Sequence, residues 1–148
     1  LVKWPGVAKP GSVSDEPVCS IDIFPTIMEG AGVALPNDRV IDGLSLVDHL
    51  KSGGTDKLDR DELIWHFPHY RHPPGPYSII RKGDWKLIHY YQDQPQLFNL
   101  ADDLSEANDL ASQLPDKVKQ LEDRLMIRLK DMGALLPRPN PEFVEKSQ

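Results

Sequence analysis

The sequence predicts an α+β fold, a small antiparallel four-stranded sheet packed by a C-terminal helix, and three observations carry that expectation. Four short β-rich runs, at residues 62–67, 77–81, 85–91 and 96–99, are separated by Pro, Gly or Asp turns at the spacing of a meander. A later stretch, residues 115–132, sets Val118, Leu121, Leu125, Leu129 and Met132 at three- and four-residue steps, one apolar stripe with charges on the other face. Such a stripe needs a cover, and the meander is the surface available.

The elements follow in order. Residues 1–4 read as a short strand, broken by the turn dipeptides Pro5-Gly6 and Pro10-Gly11. A helix is expected over 21–31: Ser20 or Asp22 caps it, and Pro25 sits in the first turn, where its missing N–H costs nothing. Ile23, Ile27 and Met28 form its apolar face, and Gly30 and Gly32 end it. Residues 34–42 read as a loop leading into a short helix, 44–50. Ser52-Gly53-Gly54-Thr55 is a flexible joint and the best boundary candidate in the chain. Lys82-Gly83-Asp84 is a hairpin turn, and Pro137-Arg138-Pro139-Asn140-Pro141 is an extended tail, because each X-Pro pair disfavours helix.

Composition narrows the function classes. The 148 residues are the size of one domain, with 39% apolar and 27% charged residues near the soluble average. The 14 prolines point to a loop-rich chain without long elements. Seventeen Lys and Arg against 23 Asp and Glu leave −6, which argues against a nucleic-acid partner while allowing a locally basic site. No apolar run approaches the ~20 residues of a membrane span. The start, Leu1-Val2-Lys3-Trp4-Pro5, lacks both an initiator Met and a signal-peptide pattern, which suggests a fragment or a processed product. The single Cys19 excludes an internal disulfide and an all-cysteine zinc site.

The stretch with the densest chemistry is Ile64-Trp65-His66-Phe67-Pro68-His69-Tyr70-Arg71-His72-Pro73-Pro74-Gly75-Pro76-Tyr77. Three histidines at three-residue spacing face one way only on a helix, and the four prolines here forbid one, so a metal constellation is disfavoured. Two readings stay open on the residues alone. In one, the imidazoles and the Arg71 fork donate to sulfate, carboxylate or hydroxyl oxygens while Tyr70 or Tyr77 packs on a ring. In the other, Trp65 and Phe67 are core strand residues and the histidines are ordinary loop surface.

Other candidates are weaker. Cys19 has no neighbouring base and reads as a structural thiol. Asp22 and Thr26 read as capping and first-turn residues. Asp102, Asp103, Glu106 and Asp109 form an acidic cluster that misses the EF-hand spacing and is better taken as a solvated loop. Lys86 alternates with apolar neighbours and is expected to point to solvent. Gly-x-Ser-x-Gly and Walker patterns do not occur.

Several segments taken together resemble the C-terminal portion of sulfatases of the arylsulfatase type, in the alkaline-phosphatase-like superfamily. They are Lys3-Trp4-Pro5-Gly6, Ile21-Asp22-Ile23-Phe24-Pro25-Thr26-Ile27, Asp42-Gly43-Leu44-Ser45-Leu46, Ile80-Arg81-Lys82-Gly83-Asp84-Trp85-Lys86-Leu87-Ile88, and Gln96-Leu97-Phe98-Asn99-Leu100 followed by Asp103 and Glu106-Ala107-Asn108-Asp109-Leu110-Ala111. Each motif alone is weak, and it is their order that carries the likeness.

The resemblance implies a parent sulfuric ester hydrolase with a formylglycine nucleophile and a calcium ion, acting on a sulfated carbohydrate or aryl sulfate. The formylglycine pattern, Cys/Ser-x-Pro/Ala-x-Arg, is not matched, since Cys19 is followed by Ser20, Ile21 and Asp22. No catalytic or metal residue is therefore carried over, and the chain alone is expected to be inactive. Residues 1–58 would bring the closing strand and helices of the catalytic α/β domain, whose missing N-terminal part would be the partner. Residues 59–148 would be the small C-terminal subdomain. His66, His69, Tyr70, Arg71 and His72 would contact the organic part of the substrate. A periplasmic or secreted location is implied. The alternatives are a stand-alone module for sulfated glycans and part of a related phosphate-ester hydrolase.

Overall fold

The computed structural model describes residues 1–70 and 75–138. Chain contacts divide it into two compact units, Leu1–Arg60 and Asp61–Gln148.

The first unit is organised around one carboxylate. A 3-10 turn at Ser20–Asp22 runs into helix α1, Ile23–Gly30. Of the apolar face expected for α1, Met28 is half-buried, while Ile23 and Ile27, 57% and 61% exposed, do not pack within this unit; Asp22, Pro25 and Thr26 are buried. Hydrogen bonding accounts for the buried polar side. The Thr26 hydroxyl donates to Asp22 O at 2.6 Å and accepts the Leu46 N–H at 2.9 Å, while the Leu44 N–H donates to Asp22 Oδ1 at 2.9 Å. A buried donor or acceptor left without a partner is costly, so satisfied polar groups take the inside.

Helix α2 is Val47–Lys51 rather than 44–50, and the N–H groups of Leu44 and Leu46 just before it donate to Asp22 and Thr26. Gly43 allows the close approach: a Cβ there would lie 2.1 Å from Ile21 O. Gly30 plays the same part for the Trp4 ring, which a Cβ would meet at 2.2 Å. Residues 1–4 form no strand, since no strand among the described residues of this unit stands beside them to complete a ladder. His49 is buried, with Nε2 2.9 Å from the Ser14 hydroxyl and Nδ1 bonded to Asp56 O.

The second unit is the expected meander under a helix. Strands β1 (Glu62–Phe67), β2 (Tyr77–Lys82), β3 (Trp85–Tyr90) and β4 (Gln96–Asn99) pair antiparallel in chain order. Lys82 pairs with Trp85, so Gly83-Asp84 is the hairpin turn. Side chains alternate between faces. Ile80, Leu87 and Leu97 point to one side and pack on Val118, Leu121, Leu125 and Leu129 of helix α3, Pro115–Asp131. Met132 is not a fifth member of that stripe; it caps the helix and is 46% exposed. Arg124 clamps Glu62 at the start of β1 with two bonds of 2.8 and 2.9 Å.

Candidate functional site

The loop singled out by its histidines leaves the sheet at Phe67 and returns at Tyr77, the last register pair of β1 and β2. The two rings stack with centroids 5.5 Å apart, and His69 meets Phe67 edge-on at 5.2 Å. An aromatic pair of this kind adds to simple area burial and ties the two ends of the loop together.

His66 is anchored on the helix-covered face. Its Nδ1 is 2.8 Å from the hydroxyl of Ser78, its register partner, and its Nε2 is 3.1 Å from Leu135 O. A carbonyl only accepts, so Nε2 carries the hydrogen. In the neutral ring Nδ1 then accepts from Ser78, and Ser78 Oγ accepts in turn from the Tyr91 hydroxyl 2.9 Å away. Ser78 is fully buried, which makes this run, from Tyr91 through Ser78 and His66 to Leu135, a satisfied internal chain. Burial pushes the Tyr91 phenol up from its ordinary value, partly offset by the Ser78 bond. Beside it His89 bonds Glu122 at 2.8 Å and presents its ring to Tyr91 at 5.0 Å.

The five residues expected at the site are thus placed differently. Both nitrogens of His66 are engaged within the protein. His69 and Tyr70 are exposed just beyond β1. Arg71 and His72 lie outside the described residues. Ser78 and Tyr91, which hold the root of this loop, were not picked out from the sequence; a lone Ser in an otherwise apolar strand, Tyr77-Ser78-Ile79-Ile80, was the available signal.

The opposite sheet face is concave. Trp65 and Phe67 of β1 and Tyr77, Ile79 and Arg81 of β2 line a depression of about 480 Å³. Its far wall is the segment after β4, where Leu104 and Glu106 fold back over the sheet. Lys86 does not point freely to solvent as its alternation suggested. It binds Glu106 at 2.6 and 2.7 Å, because that segment returns to it. Glu106 holds a φ of 57° to do so.

The remaining acidic residues are occupied by backbone. Asp103 accepts the Asn108 N–H at 2.7 Å and lies below the ordinary carboxylate range for that reason first. Asp109 accepts from Leu97 and Ala111 at 3.0 and 2.9 Å. Cys19 is half-buried, and its N–H donates to Asp22 Oδ2 at 2.8 Å. Arg60 grips Asp22 through both Nη atoms at 2.8 and 2.9 Å. Burial alone would raise the Asp22 pKa, but Arg60 together with the Cys19 and Leu44 N–H groups outweighs it and holds the carboxyl below its usual value. Among the described residues no group of three His, Cys, Asp or Glu side chains is arranged to hold a metal ion, so calcium finds no matching donor set there.

The second unit is thus an α+β arrangement, a four-strand antiparallel meander covered by a C-terminal helix. Residues 1–134 match the family described as N-sulphoglucosamine sulphohydrolase, C-terminal, and the chain belongs to that family. It is 36% identical over 127 residues to a sulfatase of Formosa agariphila, covering 79% of this chain and 23% of that relative. It is 30% identical over 129 residues to an N-acetylglucosamine-6-O-sulfatase of Bacteroides thetaiotaomicron, covering 82% of this chain and 22% of that relative. A solved structure in complex with its substrate D-glucosamine-2-N,6-O-disulfate superposes with a TM-score of 0.72 at 30% identity, over 86% of this chain and 27% of that one. The chain spans about a quarter of the length of such relatives.

Proposed function

We propose that the chain is the C-terminal part of a sulfatase that hydrolyses sulfate esters of a sulfated carbohydrate, and that it supplies substrate contacts but not the nucleophile. The observation that carries this reading is the loop between β1 and β2, fastened at its root by the Phe67–Tyr77 stack and the His66–Ser78–Tyr91 chain. A loop held at both ends loses less entropy when it binds. His69, Tyr70, Arg71 and His72 would then meet the organic part of the substrate, with His66 orienting them from below. The carbohydrate reading is supported by the glucosamine substrate of the 30% identical structure and by the name of the Bacteroides relative.

In this reading residues 1–58 complete the catalytic α/β domain and 59–148 form the small subdomain. The missing N-terminal domain would cover exposed apolar side chains such as Ile23, Phe24 and Ile27, which water-facing helices rarely carry together. Formylglycine and calcium would belong to that domain, where they would supply the nucleophile and charge stabilisation. No step is assigned to them on the residues present.

The test is hydrolysis of glucosamine 6-sulfate and 4-nitrophenyl sulfate by the full-length parent and by the 148-residue chain. The parent is expected to release sulfate and the short chain none. Turnover by the short chain, or phosphate release in place of sulfate release by the parent, would overturn the assignment.

A further inference from the structure

Helix α3 covers one face of the sheet, and the other face holds the 480 Å³ depression. Its floor is aromatic, built on the Phe67–Tyr77 stack. Trp65 stands beside it with 39% of its surface open to solvent. A side chain this large is normally driven out of water, and next to a concavity it presents a flat apolar face to whatever fills the space.

The rim is polar in a specific way. Lys86 and Glu106 neutralise each other at 2.6 Å. Arg81 has only a carbonyl, Gly83 O at 3.3 Å from Nε, among the hydrogen-bond partners of the described residues. The depression therefore carries one net positive charge, on a guanidinium whose fork suits sulfate or carboxylate oxygens. Flat apolar rings, a cationic fork and a paired Lys–Glu wall that can accept and donate match the two sides of a sulfated pyranose: its C–H face is apolar and its rim carries hydroxyls and anions. The floor is also continuous with the loop proposed to meet substrate, since Phe67 and Tyr77 are the two ends of that loop.

We infer that this sheet face is a saccharide subsite, taking anionic sugar units of an oligosaccharide away from the scissile sulfate. The inference rests on the sulfatase reading for its setting and extends it, because it makes a sulfated oligosaccharide, rather than a single sugar or an aryl sulfate, the preferred substrate. Trp65 is the stacking platform and Arg81 the anion contact.

The experiment uses the full-length parent with Trp65→Ala and Arg81→Gln, a heparin-derived hexasaccharide and 4-nitrophenyl sulfate. Trp65→Ala is expected to lower the ratio of kcat/KM for the hexasaccharide over that for 4-nitrophenyl sulfate by about tenfold, the loss typical of a truncated aromatic anchor. Arg81→Gln is expected to lower the same ratio and to weaken its dependence on salt. A ratio unchanged in both variants, with a lower Tm for Trp65→Ala, would show the face buried against the rest of the parent and overturn the subsite. If the wild-type parent hydrolyses neither compound, the sulfatase reading fails, and tryptophan fluorescence decides the subsite separately. Quenching by the hexasaccharide in wild type but not in Trp65→Ala upholds it, and equal or absent quenching overturns it.

Discussion

The two units hold themselves together by opposite means. In Leu1–Arg60 the centre is Asp22, fully buried, accepting from Cys19, Leu44 and twice from Arg60. In Asp61–Gln148 the centre is aliphatic, with Ile80, Leu87, Leu97 and Leu125 at 0% exposure, and the ionic contact of Glu62 with Arg124 lies at its border. A polar centre is directional and fails when one partner is lost. An aliphatic centre is graded, because its strength follows the area and volume removed from water.

Four changes would break or sharpen that contrast. Removing the hub should cost most: Asp22→Ala leaves the Arg60 guanidinium, with a side chain only 12% exposed, without its charge partner and is expected to destabilise the first unit by about 3–5 kcal/mol. Trp4 fluorescence in a Trp65→Phe, Trp85→Phe background reads this unit, and an unchanged urea midpoint would refute the assignment. The same hub sets an acid limit. Because the folded Asp22 pKa is lowered, its contribution is complete above the unfolded carboxylate value near pH ~4 and is lost as pH falls through the folded one. Trp4 should therefore report unfolding below that point, and Asp22→Asn should remove the slope.

Next comes the aliphatic centre. Leu125→Ala is expected to cost about 2–5 kcal/mol in the second unit, read by the helical circular dichroism signal during thermal unfolding, with the Trp4 midpoint unmoved. Ser78→Ala strands the Tyr91 hydroxyl and His66 Nδ1 together and should cost about 1–3 kcal/mol. If the chain from Tyr91 to Leu135 also positions the loop, and the proposed sulfatase reading holds, Ser78→Ala in the full-length protein would raise KM for a sulfated sugar more than it lowers kcat. Glu62→Gln is expected to be the smallest, with a Tm shift below that of each other variant: the carboxylate is 7% exposed, but the amide keeps its volume and the partners Arg124, Arg128 and Lys82 are 44%, 39% and 43% exposed and screened. A Glu62 effect larger than that of Leu125 would erase the distinction between the units.

The second unit was legible in the sequence, whereas in the first the helix over 21–31 was legible and the hydrogen-bonded centre was not, for related reasons. Period-two strands and the Val118–Leu129 stripe report burial directly, because in that unit burial follows apolar character. Helix α1 also buries a polar side: Asp22 and Thr26 are held by partners 20 or more residues away, at Leu44, Leu46 and Arg60. Periodicity carries no trace of such long-range bonds. Met132 was counted into a stripe that the helix end at Asp131 excludes, and Lys86 into solvent that the returning Glu106 segment occupies. At the loop, composition marked the histidines, but only the register of β1 against β2 shows that His66 is committed to Ser78 while His69 and Tyr70 are free of the sheet.

The order of the strands in the sheet, identical to their order along the chain, has a kinetic consequence. Each ladder closes a short loop, the tightest at Gly83-Asp84, so β2 and β3 can zip on the microsecond scale of a hairpin, ~1–10 μs, and recruit β1 and β4 from either side. Helix α3 follows all four strands in the chain and is the element that covers Ile80, Leu87 and Leu97. Until Pro115–Asp131 arrives, the meander shows its neighbours a bare aliphatic face, and a chain stopped before Pro115 would sooner aggregate than wait.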